Sequence, residues 1–265
     1  MRLVSLAPSA TATLAAMGAG DGLVGVTFHC DLGALDTRTE PDRVGGWLNP
    51  DYGRVTALDP DLVLTSDPLQ RELRDDLDTR GLDVFHREPS TLAEAVEGFA
   101  ALGEAVGAPE AGAELASASR ARLARVRDAV SDEPRPTVYC EEWSDPPMVA
   151  GNWVPEAVEA AGGDYPFVEP GERSREVARE EVAAADPEYV ILHLCGHGQT
   201  VDPDRFRDRG WAPDAEVHVI DDSALNQPSP RLLDGVERLA RLFHGDVAPP
   251  RDDTATRHDA EPSAE

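Results

Sequence analysis

A long amphipathic segment, flanked on both sides by the same succession of elements, constrains this chain more than any other feature. Pro109 to Val130 reads as one helix. Pro109 suits a first helical position, and Leu115, Ser119, Leu123, Val126 and Val130 recur at three- and four-residue steps on one face. Arg120, Arg122, Arg125 and Arg127 fall on other faces, and Pro134 and Pro136 close the segment. At 1.5 Å per residue the helix is about 33 Å long.

The two flanks repeat each other. Before the helix come a short strand at Leu3–Leu6, the run Leu58-Asp59-Pro60-Asp61-Leu62-Val63-Leu64-Thr65, a strand over 81–86 and an amphipathic helix over 91–106. After it come a strand at Thr137–Cys140, the run Ala185-Asp186-Pro187-Glu188-Tyr189-Val190-Ile191-Leu192, a strand over 215–220 and a helix over 230–243. The Asp-Pro-acid-apolar run opens a strand each time, with proline at the strand edge, where its missing N–H is harmless. The spacing therefore predicts two similar Rossmann-like α/β lobes joined by one rigid helix. Residues 1–107 form the N-terminal lobe, 108–133 the connecting helix and 134–246 the C-terminal lobe. The acidic stretch 247–265 is expected to be disordered. Between these landmarks, 33–44 reads as polar loop, 52–57 as a helix, 169–175 as loop and 176–184 as a short helix.

Charge narrows the partners. The formal net charge is −27, and every basic residue is an arginine. Such a chain repels nucleic acid and anionic membranes and reads as a solvated surface suited to high salt, with an acidic face that docks a basic partner as the alternative. Cys30, Cys140 and Cys195 are odd in number and far apart, so no disulfide framework follows. No run approaches the roughly 20 apolar residues of a membrane span. Leu3–Leu6, broken by Ser5 and stopped by Pro8, is too short for the core of an export signal. The expectation is a cytoplasmic monomer without membrane insertion, extracytoplasmic only if the start site is mis-assigned.

Ligands of parallel α/β sheets bind beyond the carboxyl ends of the strands. Those ends carry Ser9, Thr11, Phe28, His29, Cys30, Trp47, Asn49, Thr65 and Ser66 in the first lobe. In the second they carry Glu142, Trp143, Asn152, Trp153, Cys195, Gly196, His197, Gln199, Asn226 and Gln227. Aromatic and neutral hydrogen-bonding groups dominate and arginine is scarce, which suits a large, flat, partly apolar ligand better than an anion. The Gly-x-Gly at 18–20 follows a helix instead of opening one, so it is no phosphate loop. There is no C-x-x-C, H-E-x-x-H or G-x-S-x-G pattern. His193 reads as a core residue, Cys140 as a small buried hydrophobe and Glu141-Glu142 as a solvated charge run. No catalytic residue, bound metal or resident cofactor is expected. A metalloenzyme using His29, Cys30, Cys195 and His197 is the competing class.

Several runs resemble a known family. Leu3-Val4-Ser5-Leu6-Ala7-Pro8-Ser9-Ala10-Thr11, Val24-Gly25-Val26-Thr27 with Cys30-Asp31, and Leu58-Asp59-Pro60-Asp61-Leu62-Val63 resemble the class III, helical-backbone solute-binding proteins of ABC importers. Trp143 to Pro155, Cys195-Gly196 and Asn226-Gln227-Pro228-Ser229-Pro230-Arg231-Leu232 resemble the cobalamin-binding branch. The resemblance implies a corrinoid, cobalamin first, held without chemistry in the cleft between two lobes, with an ABC permease and ATPase as partners. An iron chelate or haem on the same fold is the alternative. On this reading Trp47, Trp143 and Trp153 cover apolar surface. Ser9, Thr11, Asn49, Asn152, Gln199, Asn226 and Gln227 meet the amide arms.

Overall fold

The computed structural model describes residues 1–33, 35 and 40–245. The expected acidic tail, 247–265, lies outside the described residues. By internal contacts the chain forms two compact units. Among the described residues one holds Met1–Glu88 and Glu97–Ser117; the other holds Pro89–Val96 and residues 118–245.

The first unit is a five-stranded, wholly parallel sheet. In chain order it runs β1 (Leu3–Ser5), α1 (Pro8–Ala16), β2 (Leu23–Val26), β3 (Asp42–Arg43), α2 (Tyr52–Ala57), β4 (Leu62–Ser66), α3 (Arg71–Thr79) and β5 (Val84–Arg87). The strand order is β3-β2-β1-β4-β5. Helix α4 (Leu92–Ala105) follows. Alternate residues of β1 point to opposite faces. Leu3 joins a core with Leu14, Leu23, Leu64 and Leu102, whereas Val4 joins one with Val44, Val55, Val63 and Leu77. Burial on both faces is what a parallel sheet demands.

Helix α5 (Pro109–Ala129) runs unbroken for 21 residues. Ser119, Leu123, Val126 and Val130 are buried as the periodicity predicts, and Ala116 joins them. Its start packs on α4 with no room for side chains. A Cβ on Gly103 would lie 2.8 Å from the Gly112 Cα, and one on Gly112 2.8 Å from the Phe99 carbonyl oxygen.

The second unit holds β6 (Val138–Ser144), β7 (Pro147–Val149), α6 (Val154–Ala160), β8 (Arg175–Glu176), α7 (Arg179–Ala185), β9 (Tyr189–Leu192), α8 (Asp204–Arg207), β10 (Glu216–Val219) and α9 (Arg231–His244). Its strand order is β10-β9-β6-β7-β8. Here the repeat breaks: β7 and β8 pair antiparallel, while β10, β9 and β6 are parallel. The cause lies in the connections. β1 reaches β2 through a helix, as a parallel crossover requires, whereas β6 reaches β7 through the two residues Asp145 and Pro146, which permit only a hairpin. The short helix expected over 176–184 begins later, at Arg179, because Arg175 and Glu176 are taken up in β8.

The Asp-Pro repeat survives at the level of single bonds. Asp59 and Asp186 both take left-handed backbone, φ 48° and 47°. After the proline, the N–H groups of Asp61 and Leu62 both donate to the Arg2 carbonyl, and those of Glu188 and Tyr189 both donate to that of Thr137. Each run thus sets the register of a parallel strand against the first strand of its sheet.

Candidate functional site

In the first unit the carboxyl ends of β1 and β2 meet in a small polar core. The Thr11 hydroxyl donates to Ser5 Oγ at 2.8 Å and lies 3.1 Å from Cys30 Sγ, with Thr27 Oγ1 3.3 Å from the same sulfur. All four residues are buried. Thr11 and Cys30, both expected at the ligand surface, sit inside this cluster. Ser9 is buried on α1, where its carbonyl accepts the Thr13 hydroxyl.

The loop after β3 carries Trp47 and Asn49. Gly45 needs its φ of 120° to make the turn, and Asn49 lies across Gly46, where a Cβ would fall 2.2 Å from Asn49 Oδ1. The loop is fastened by Gln70, which no sequence pattern singled out. Gln70 is fully buried; its Nε2 donates to the Leu6 and Trp47 carbonyls at 3.0 and 2.7 Å, and its Oε1 accepts the Ser66 N–H at 2.8 Å. One amide therefore joins the ends of β1 and β4 to the Trp47 loop. The only available signal was Asp67-Pro68, which opens the single helical turn that delivers it. The Phe28 N–H donates to the Gly45 carbonyl at 2.9 Å. Phe28 and Leu48 are exposed, Trp47 is half-buried, and His29 and Asn49 are open to solvent.

Thr65, at the end of β4, is buried and bonded to His86 Nδ1 at 2.8 Å; His86 Nε2 meets Glu88 Oε1 at 2.9 Å. The Arg71 guanidinium forks onto both oxygens of Glu88. That fork, helped by His86, brings the Glu88 carboxyl down to about 2.

In the second unit the Glu141-Glu142 pair is not the solvated charge run expected. Glu141 is 1% exposed and receives both Arg209 guanidinium nitrogens at 2.6 and 3.0 Å, the Tyr139 hydroxyl at 2.8 Å and the Ser144 hydroxyl at 2.7 Å. A buried carboxylate is tolerable only when matched this completely. Arg209 also lies over the Trp211 ring. This set fixes the β6–β7 hairpin, which carries Trp143. Trp143 is exposed, its indole N–H donating to the Asp145 carbonyl at 2.9 Å.

Trp153 is buried, and its indole N–H donates to the Leu225 carbonyl at 2.6 Å. Asn152 beside it has left-handed backbone, φ 54°. The segment around Gly171–Ser174 holds it: the Asn152 N–H donates to the Glu172 carbonyl, the Gly171 N–H to the Asn152 carbonyl and the Gly151 N–H to Ser174 Oγ. By sequence this segment reads as plain loop.

The turn after β9 carries Cys195, Gly196, His197 and Gln199, and all four are exposed. Asn226 is spent on it: Nδ2 donates to the His193 carbonyl at 2.8 Å and faces Cys195 Sγ at 3.0 Å, while Oδ1 accepts from His193 Nδ1. His193 is wholly buried, Nε2 has no partner among the described residues, and burial brings its pKa down to about 4. Burial around its sulfur pushes the Cys195 thiol up to about 11. Asp222, also missed by sequence reasoning, accepts the Gly196 N–H at 2.7 Å and the Gly198 N–H at 3.1 Å. Gln227 is half-buried nearby in sequence. Among the described residues no group of three or more His, Cys, Asp or Glu side chains is placed to hold a metal, and no helix is long and apolar enough to cross a membrane.

Residues 3–212 match the periplasmic binding protein family. A cobalamin-binding protein of Halobacterium salinarum is 28% identical over 256 residues, covering 92% of this chain and 69% of that protein. The vitamin B12-binding protein of Vibrio cholerae is 27% identical over 252 residues, covering 90% and 87%. Among solved structures, the periplasmic vitamin B12 binding protein BtuF of Vibrio cholerae superposes with a TM-score of 0.72 at 25% identity, over 91% of this chain and 96% of that one. The periplasmic heme-binding protein RhuT of Roseiflexus sp. RS-1 shares the fold, with a TM-score of 0.77 at 22% identity over 94% and 99%. The two sheets, the long helix and these likenesses agree with the class III architecture. The expectation of a cytoplasmic protein is corrected: the matched family and both structures are periplasmic. Leu3–Leu6 argued against an export signal, but it supplies β1, and a buried strand carries no information about compartment.

Proposed function

This chain belongs to the periplasmic binding protein family, and we propose on that footing that it binds a corrinoid, cobalamin first, without transforming it. The carrying observation is that two relatives named for cobalamin each align with at least 90% of this chain. The polar inventory fits. The exposed and half-buried groups at the strand ends include Phe28, His29, Trp47, Asn49, Trp143, Asn152, His197, Gln199 and Gln227, with Glu142 the charged member, a mostly neutral and aromatic set suited to a flat macrocycle with amide arms. We assign Thr11, Thr65, Trp153 and Asn226 to holding those groups in place, because their hydrogen-bonding atoms are bonded within the chain.

The lobes on this reading are 1–107 and 134–246 with the helix 108–133 between them, and the protein delivers its ligand to an ABC permease and ATPase. Isothermal titration with cyanocobalamin in concentrated salt tests the binding. One-to-one binding with Kd of about 1 μM or tighter is expected. Absence of heat with cyanocobalamin overturns the proposal, and heat with haem alone replaces it with the haem reading.

A further inference from the structure

The described chain holds six histidines, and four are committed. His86 bridges Thr65 and Glu88, and His193 is buried against Asn226. His218 pairs with Glu216 and stacks on Tyr189, and His244 faces the Ala161 carbonyl. The imidazoles of His29 and His197 are exposed and make no hydrogen bond or ring contact. They differ in how the backbone holds them. The two amides that Asp222 grips belong to Gly196 and Gly198, the residues on either side of His197. Both glycines take positive φ, 77° and 54°, a conformation that would leave the turn loose without a clamp. The Cys195 N–H is tied to the Glu142 carbonyl and the His197 N–H to the Leu194 carbonyl. With no partner inside the chain, the His197 imidazole is an available nitrogen donor, and the backbone that carries it is fixed at both neighbours.

We propose that His197 supplies an axial nitrogen to the cobalt of a corrinoid that carries an exchangeable water, and that Asp222 is its positioning residue. This rests on the cobalamin reading. The step is a ligand substitution without redox change. The Co–OH2 bond breaks and water leaves, and the lone pair of the neutral imidazole forms the Co–N bond. Imidazole is a ligand of choice for such borderline metals. A corrinoid with cyanide fixed on that face binds without the step.

The test is visible absorbance of the full chain titrated with aquacobalamin and, separately, with cyanocobalamin. Aquacobalamin is expected to shift its bands to those of the imidazole adduct, whereas cyanocobalamin binds with no such change. His197→Ala, checked for a wild-type melting curve, is expected to lose the shift. Asp222→Ala is expected to weaken aquacobalamin by about tenfold, the cost of ordering a turn that has lost both amide clamps. Asp222→Asn keeps one acceptor oxygen and falls between. No band shift with wild-type protein that still gives heat with cyanocobalamin overturns the axial assignment alone. A shift that survives His197→Ala but not His29→Ala overturns it too, and absence of binding to either corrinoid is the failure of the underlying reading.

Discussion

Asp59 and Asp186 occupy the same place in the two units, each in left-handed backbone directly before a proline, with the N–H groups of the two residues after that proline starting a parallel strand. For an L-residue with a Cβ that conformation costs roughly 1–2 kcal/mol, and glycine escapes the cost. Asp186→Gly is therefore expected to raise stability by up to about 1 kcal/mol, and Asp186→Val, whose branched Cβ fits worst, to lower it by about as much or more. Chemical denaturation midpoints at unchanged slope read both signs.

Glu141 and Arg209 form a bidentate pair in which the carboxylate is almost sealed from water. Removing the guanidinium leaves a buried charge unmatched, so Arg209→Met is expected to cost about 3–5 kcal/mol. The double variant Arg209→Met/Glu141→Gln is expected to recover part of that loss, because an amide keeps the Tyr139 and Ser144 hydroxyls occupied without a net charge. A double variant no more stable than Arg209→Met contradicts this account of the pair.

Gly103 and Gly112 let α4 and α5 approach with backbone against backbone. Alanine at either position is ordinarily the better helix former by about 1 kcal/mol. Here its methyl group would stand 2.8 Å from a carbonyl oxygen, so overpacking wins. Gly112→Ala is expected to destabilise by about 1–3 kcal/mol, against a stabilising Gly98→Ala control, since nothing lies within 4 Å of a Cβ there.

His193 stays neutral because it is buried, its folded pKa near 4 lying below the unfolded value of about 6.5. The unfolded chain therefore takes up a proton first as pH falls. The neutral ring places no penalty on the fold above pH ~6.5, and stability drops between pH ~6.5 and ~4, by on the order of 3 kcal/mol in the limit of full burial. A proton NMR titration is expected to find the His193 ring signals fixed down to about pH 5. A midpoint near 6.5 would contradict the burial that sets it.

The parallel strands and the long helix were legible because they are written in apolar runs and three-to-four periodicity, which burial enforces residue by residue. β7, β8 and β3 were not. Pro147–Val149 is three residues long, and Arg175–Glu176 and Asp42–Arg43 are two each and carry charge, so their pairing rests on backbone groups that leave no mark on side-chain pattern. At the candidate site, the sequence shows where the strand ends lie but not the direction of each side chain. Trp143 and Trp153 look alike in sequence, yet one is exposed and the other buried with its indole N–H on the Leu225 carbonyl. The residues that fix the loops, Gln70, Arg209 and Asp222, act across long separations in sequence, where no local motif can announce them.

Gln70 holds the Trp47 loop with an uncharged amide. In a chain of formal charge −27, ion pairs weaken as salt shortens the reach of charge to a few ångströms, and carboxylates change state in acid. A carboxamide responds to neither. Placement of the tryptophan is thus insulated from brine strength and proton concentration alike, and the loop keeps one shape in dilute and in saturated surroundings.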